Sequence, residues 1–161
     1  MSVTHIGTKI AIATGVPATN NLAGFEGLTW VEMDAGLVSV GAVGDTNETV
    51  SVPDVSTGRN MTLKGAVTGD TVNIAVSRKR VANTGALDAA QAAMKAAAKA
   101  GCGEYSLRIT EADCGLPGVV QYIAGQVGNW KETERTTTSY AGFTFDFMIN
   151  YEPVDEYPAP D

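Results

Sequence analysis

His5 is the single histidine in 161 residues, and one imidazole assembles neither a Ser-His-Asp triad nor a multi-histidine metal centre. Cys102 and Cys114 add two thiols. No C-x-x-C pair is present, and three soft ligands from distant positions do not make a zinc site. Between the cysteines lies "EYSLRIT", which reads as a strand spanning roughly 20 Å at about 3.3 Å per residue. A disulfide needs Cα atoms within about 7 Å, so two reduced, structural thiols are expected.

Carboxylates do no better. Asp45, Asn47 and Thr49 alternate like the start of a calcium loop. The sixth position is Val50 where Gly is needed and the twelfth is Ser56 where Glu is needed, so the segment reads as a polar turn entering a strand. Glu32 with Asp34, and Glu111 with Asp113, are pairs at a spacing of two. That spacing sets each pair on one strand face, pointing to solvent and not across a cleft. No G-x-G-x-x-G joins a strand to a helix, and no P-loop lysine occurs. Arg78-Lys79-Arg80 is the sole basic cluster; three charges at a strand end read as a solvated turn, since duplex binders spread many more. Asn47-Glu48-Thr49 and Asn60-Met61-Thr62 are formal glycosylation acceptors, with meaning only in a secreted chain. The expectation is a non-enzyme without cofactor or metal, working through its surfaces.

Composition agrees. Charged residues are 18% of the chain, below the usual quarter or so, and Gly, Thr, Val and Ala suit many turns joining short strands. The net charge is −7, and Glu152, Asp155, Glu156 and Asp161 crowd the last eleven residues. Such a balance does not grip a phosphate backbone, which needs clustered Lys and Arg. No apolar run reaches the roughly 18 residues of a membrane span, and the N-terminus lacks the basic region of a secretory signal.

The elements that must carry those surfaces are mostly strands. Residues 1–28 are weakly periodic around the turn cluster "TGVPATNN" and read as an arm. Over 29–150 follow "LTWVEM", "LVSVGAV", "ETVSV", the loop "PDVSTGR", "NMTLKGAV" and "TVNIAVSR". Gly69-Asp70 is the expected hairpin turn between the last two. "YSLRIT", "VVQYIAGQV" and "GFTFDFMIN" complete the set; Phe143, Phe145, Phe147 and Ile149 mark the last as central to the core. One helix, about 85–100, interrupts them, with Thr84 as N-cap and Gly101 as its left-handed stop. Leu87, Ala90, Met94 and Ala97 form its inner stripe; Asp88, Gln91, Lys95 and Lys99 form the outer one. The tail 151–161, acidic and proline-containing, is expected to be mobile. The pattern predicts a mainly β sandwich or partly open barrel with one flanking helix.

In order of elements the chain resembles the major tail tube proteins of long, non-contractile-tailed (siphovirus-type) bacteriophages. The residues that carry this are "VPATNNLAGFEGLTWVEMDAGLVSVGAVGD" and "VSVPDVSTGRNMTLKG", then a hairpin, "TVNIAVSR", the helix, "YSLRIT" and the aromatic strand. The similarity spans roughly residues 16–150 and is one of pattern, without a specific short motif.

The resemblance implies the tail-tube fold, related to the tube subunits of type VI secretion systems. It further implies stacked hexameric rings forming a conduit for double-stranded DNA, which passes through the lumen without specific binding. Implied partners are copies of itself, a tape measure protein, and tail terminator and tail tip proteins; the implied place is the virion tail, made in the host bacterial cytoplasm, with no membrane. It assigns inter-ring stacking to Pro53, Asp54, Thr57 and Arg59, and an inter-subunit helix face to Lys95 and Lys99. An acidic lumen would repel DNA phosphates, and a thin alanine-rich helix would cover a lumen-lining sheet without thickening the wall. Two other readings stay open. A small β-sandwich adhesion module predicts an exposed aromatic patch around Trp30, Trp130 or Tyr122; an effector-carrying secretion tube shares the ring.

Overall fold

The computed structural model describes residues 6–33, 35–113 and 116–158. In chain order its elements are β1 (Lys9–Thr14), α1 (Leu22–Glu26), β2 (Val31–Met33), β3 (Leu37–Val40), β4 (Asp45–Asp54), β5 (Arg59–Gly69) and β6 (Thr71–Ser77), then α2 (Ala89–Lys99), β7 (Tyr105–Asp113), β8 (Leu116–Glu132), β9 (Gly142–Ile149) and β10 (Val154–Glu156). The described residues form a mainly β structure of open sheets, consistent with a β-sandwich with a flanking helix.

β8 organises both layers. Its first half pairs with β7 on one edge, Ile123 opposite Leu107, and with β10 on the other, Tyr122 opposite Val154. Its second half pairs with β9, Val127 opposite Phe147. One layer therefore reads β2-β1-β7-β8-β10 and the other β8-β9-β6-β3, all pairs antiparallel. The strand changes layer at Gly125, which lies opposite Tyr105 of β7 and Ile149 of β9. A Cβ there would stand 1.8 Å from the Met148 carbonyl oxygen, so the corner is built for glycine.

Alternation along the strands supplies the core. Ile10, Leu107, Ile109 and Ile123 of the first layer meet Val72, Ile74 and Phe143, Phe145, Phe147 and Ile149 of β9 in one buried cluster. α2 covers this cluster through Ala90, Met94 and Ala97. A smaller cluster fills the opposite side of β8, where Phe25 of α1 stacks on Tyr122 at 5.2 Å between ring centroids.

Several expectations need correction. The segment expected to be an arm contributes β1, paired on both edges with β2 and β7, and α1, capped by the Asn21 side chain. Gly69-Asp70 turns no hairpin: β5 pairs with β4, while β6 pairs with β3 and β9. The helix starts later than Thr84, because the Asp88 carboxylate accepts from the Ala90 amide at 3.2 Å and caps it. Leu87 precedes it, bridged to Arg80. The stop is Ala100 in extended conformation, not a left-handed Gly101. Gln91, expected on the outer stripe, is wholly buried, since three residues before Met94 it shares that residue's face. Within the tail, Val154–Glu156 is paired.

Candidate assembly interface

β4 and β5 leave the body as a two-stranded ribbon that packs on neither layer. The register explains its faces: Val50 lies opposite Leu63 and Val52 opposite Met61, while Thr49/Lys64, Ser51/Thr62 and Pro53/Asn60 take the other side. The four apolar residues keep between 40% and 53% of their surface exposed. A two-stranded ribbon is marginal by itself, and a contiguous exposed apolar face marks an interaction surface. The alternation in "TVSV" and "MTL" was the signal for this stripe, legible once the two segments are known to pair.

At the ribbon's tip the structure brings Pro53, Asp54, Thr57 and Arg59 together. Asp54 and Arg59 form the last rung of the ladder. The Asp54 carboxylate accepts from the Ser56 amide at 2.9 Å, the Ser56 hydroxyl at 2.7 Å and the Thr57 hydroxyl at 3.1 Å. These bonds, Ser56 foremost, hold its pKa below the ordinary 3.8. Gly58 closes the turn at φ +68° and donates to the Asp54 carbonyl at 2.9 Å. The tip is shaped by its own bonds and exposes Val55 almost completely.

Lys95 and Lys99 sit elsewhere, on α2. Lys95 is half-buried, its Nζ 6.0 Å from the centroid of Trp130, while Lys99 is exposed. Trp130 stacks in turn on Phe143 at 4.0 Å. Tyr122 is buried, and Trp30 packs against it while donating to the Phe25 carbonyl at 3.0 Å. The three aromatics named for an adhesion patch are thus engaged within the body.

The outward face of the β8-β9-β6-β3 layer is polar. Asp146 at its middle accepts from Asn73 at 2.8 Å and from Asn129 at 2.9 Å; Asn129 adopts φ +55°, within the register shift between Gly128 and Lys131. At the open end of the sandwich, a cleft of about 660 Å³ separates β3 and residues 41–43 from Ile109 and Gln121.

Among the described residues no three His, Cys, Asp or Glu side chains group as a metal site, and no helix is long and apolar enough to cross a membrane. Cys102 is exposed; His5, Asp34, Cys114 and Asp161 lie outside the described residues. Asp45, Asn47 and Thr49 are in β4, with Glu48 at a register shift. Arg78 of the basic cluster pairs with Glu132 at 3.2 Å.

No protein-family model matches the sequence, and no curated protein matches it significantly. Solved structures do match by shape. A chain in the cryo-EM structure of the anti-feeding prophage cap, a tube terminating cap, aligns over 98% of this chain and 93% of its own length, with TM-score 0.63 and 10% identity. A chain in the 6-fold symmetrised anti-feeding prophage baseplate aligns over 99% and 93%, with TM-score 0.56 and 10% identity. The chain therefore shares its fold, over nearly its whole length, with chains of the anti-feeding prophage cap and baseplate structures.

Proposed function

We propose that this protein is a structural subunit of a phage tail or tail-like particle, and that its copies form hexameric rings stacking into a tube. The observation that carries the reading is the β4–β5 ribbon, an exposed apolar surface on a chain whose fold matches tube cap and baseplate structures end to end. In this reading Pro53, Asp54, Thr57 and Arg59 at the ribbon tip reach the next ring. The α2 face with Lys99 meets a neighbour within the ring, and the polar face around Asp146 looks into the lumen, where a carboxylate repels DNA phosphates. Tape measure, terminator and tip proteins are the partners at the tube's ends.

Negative-stain microscopy of the purified protein, with sedimentation on the same sample, tests this. Rings or tubes that lengthen with concentration are expected. A monomer at every concentration and salt, with no tubes on the grid, overturns it.

A further inference from the structure

We propose that the β8-β9-β6-β3 layer is basic at one end and acidic at the other, and that the basic end of one copy meets the acidic end of a copy in the next ring. The charges thereby fix the direction in which rings stack. This deepens the tube reading and rests on it.

Strand register assigns the charges to the ends. At one end Ser77 lies opposite Gly142 and Glu132 opposite Phe143. Arg78, Lys79 and Arg80 leave β6 here, and Lys131 and Arg135 stand at the end of β8 and just beyond it, all of them exposed. The acids here are Glu132, Glu134 and Asp88, and Asp88 is committed to capping α2. Glu132 accepts from both Arg78 and Arg135. It holds the two guanidiniums over a hollow of about 160 Å³, while each keeps further N–H donors for another carboxylate.

The opposite end is acidic. Thr71 lies opposite Met148 there. The Asp70 amide donates to the Gly44 carbonyl at 3.0 Å, and the Ile149 amide donates to the Asp70 carbonyl at 3.3 Å. These bonds bring Asp45 and the chain after Asn150 to one place. Asp45 and Glu152 line a hollow of about 430 Å³ in which Lys64 is the base. Tyr151 adds Glu104, to which its hydroxyl donates at 3.1 Å.

One copy cannot bring its own ends together. β6 spans the layer between them as Thr71–Ser77, roughly 20 Å at about 3.3 Å per residue. That exceeds the Debye length of about 8 Å at physiological ionic strength, so neither end neutralises the other. A second copy can. Turned head to head, two copies set base against base or acid against acid; only head to tail do opposite charges meet. A contact between two different surfaces is heterologous and leaves one end of each copy free, so it propagates in one direction. Exposed ion pairs are individually weak and are screened by salt. Their contribution is orientation and salt dependence.

Charge-reversed full-length variants test the contact. Lys131→Glu with Arg135→Glu leaves acids in excess at both ends; Asp45→Lys with Glu152→Lys leaves bases in excess at both. All four side chains are exposed, and circular dichroism with thermal melting verifies that the variants fold. By sedimentation and negative stain at low salt, each variant alone is expected to stop at single rings. An equimolar mixture is expected to stack again, because acidic ends now find basic ones. Wild-type tubes are expected to shorten as sodium chloride is raised, a measurement that needs no variant. If wild type forms tubes and either folded variant alone forms them equally well, this contact is wrong while the tube reading stands. Wild-type tubes of unchanged length at high salt, or a mixture that stays as separate rings, overturn the contact likewise. Wild type that stays monomeric at every concentration and salt overturns both.

Discussion

The Lys79 amide donates to Gln91 Oε1 at 3.0 Å, and Gln91 Nε2 donates to the Ser77 carbonyl at 3.0 Å. One wholly buried side chain thus ties α2 to the end of β6. Replacing it by Leu keeps the volume and strands both backbone groups, at about 1–3 kcal/mol for each group left unsatisfied. Chemical denaturation of Gln91→Leu is expected to show a clear drop in midpoint. A midpoint equal to wild type would mean that the helix is held by Met94 and its alanines alone.

Gly125 and Gly128 lie three residues apart and predict opposite outcomes. A methyl group at Gly125 would meet the Met148 carbonyl oxygen at 1.8 Å, whereas at Gly128 it would meet the flexible Met148 Cε at 2.9 Å. Gly125→Ala is expected to abolish the cooperative melting transition, and Gly128→Ala to retain it with a modest shift. Equal melting curves would show that the corner between layers adapts.

On α2, Lys99→Glu is expected to leave monomer stability within about 0.5 kcal/mol, as at other exposed sites. Lys95→Glu loses its contact with Trp130, worth about 0.5–2 kcal/mol at a half-buried site. If this face meets a neighbour, the double variant is a folded protein that forms no rings. Normal tubes from it would place the outer stripe in solvent.

Asp54 gives a prediction in pH. Its carboxyl is more acidic in the folded tip than in an unfolded chain. The order it confers is therefore complete above its ordinary value and is lost as pH falls through the depressed one. Carbon-detected titration should find Asp54 below 3.8, and Ser56→Ala should move it back up. Asp54→Ala with Arg59→Ala is expected to keep the melting temperature and shorten tubes; unfolding instead would make the tip structural.

What was legible in the sequence depended on how each segment meets its neighbours. "GFTFDFMIN" was read almost to the residue because β8 and β6 flank it and keep its alternation strict. The turn residues of "PDVSTGR" located the ribbon tip, and with it Pro53, Asp54, Thr57 and Arg59. β1 was missed because Ala11 and Ala13 fill its second buried face, so that "KIAIAT" shows no polar alternation. β10 was hidden by its acids, Asp155 and Glu156, and by the prolines on either side of it, Pro153 and Pro158, yet it pairs with β8. Gly69-Asp70 has turn chemistry put to another use: Asp70 accepts from the Thr46 hydroxyl and pins the base of the ribbon. The apolar stripe needed more than the alternation of each strand, because Val50 and Val52 share a face with Leu63 and Met61 only once the register of β4 on β5 is known.

The passage of β8 through both layers has a mechanical meaning. Sliding one layer over the other would have to stretch a continuous peptide chain, where in a sandwich of separate strands it would only peel hydrogen bonds. β8 acts as a tie bar, and its anchorage at Gly125 leaves no slack. A wall made of such blocks would bend at its joints while each block kept its shape, so the compliance of the whole would be set by what joins one copy to the next.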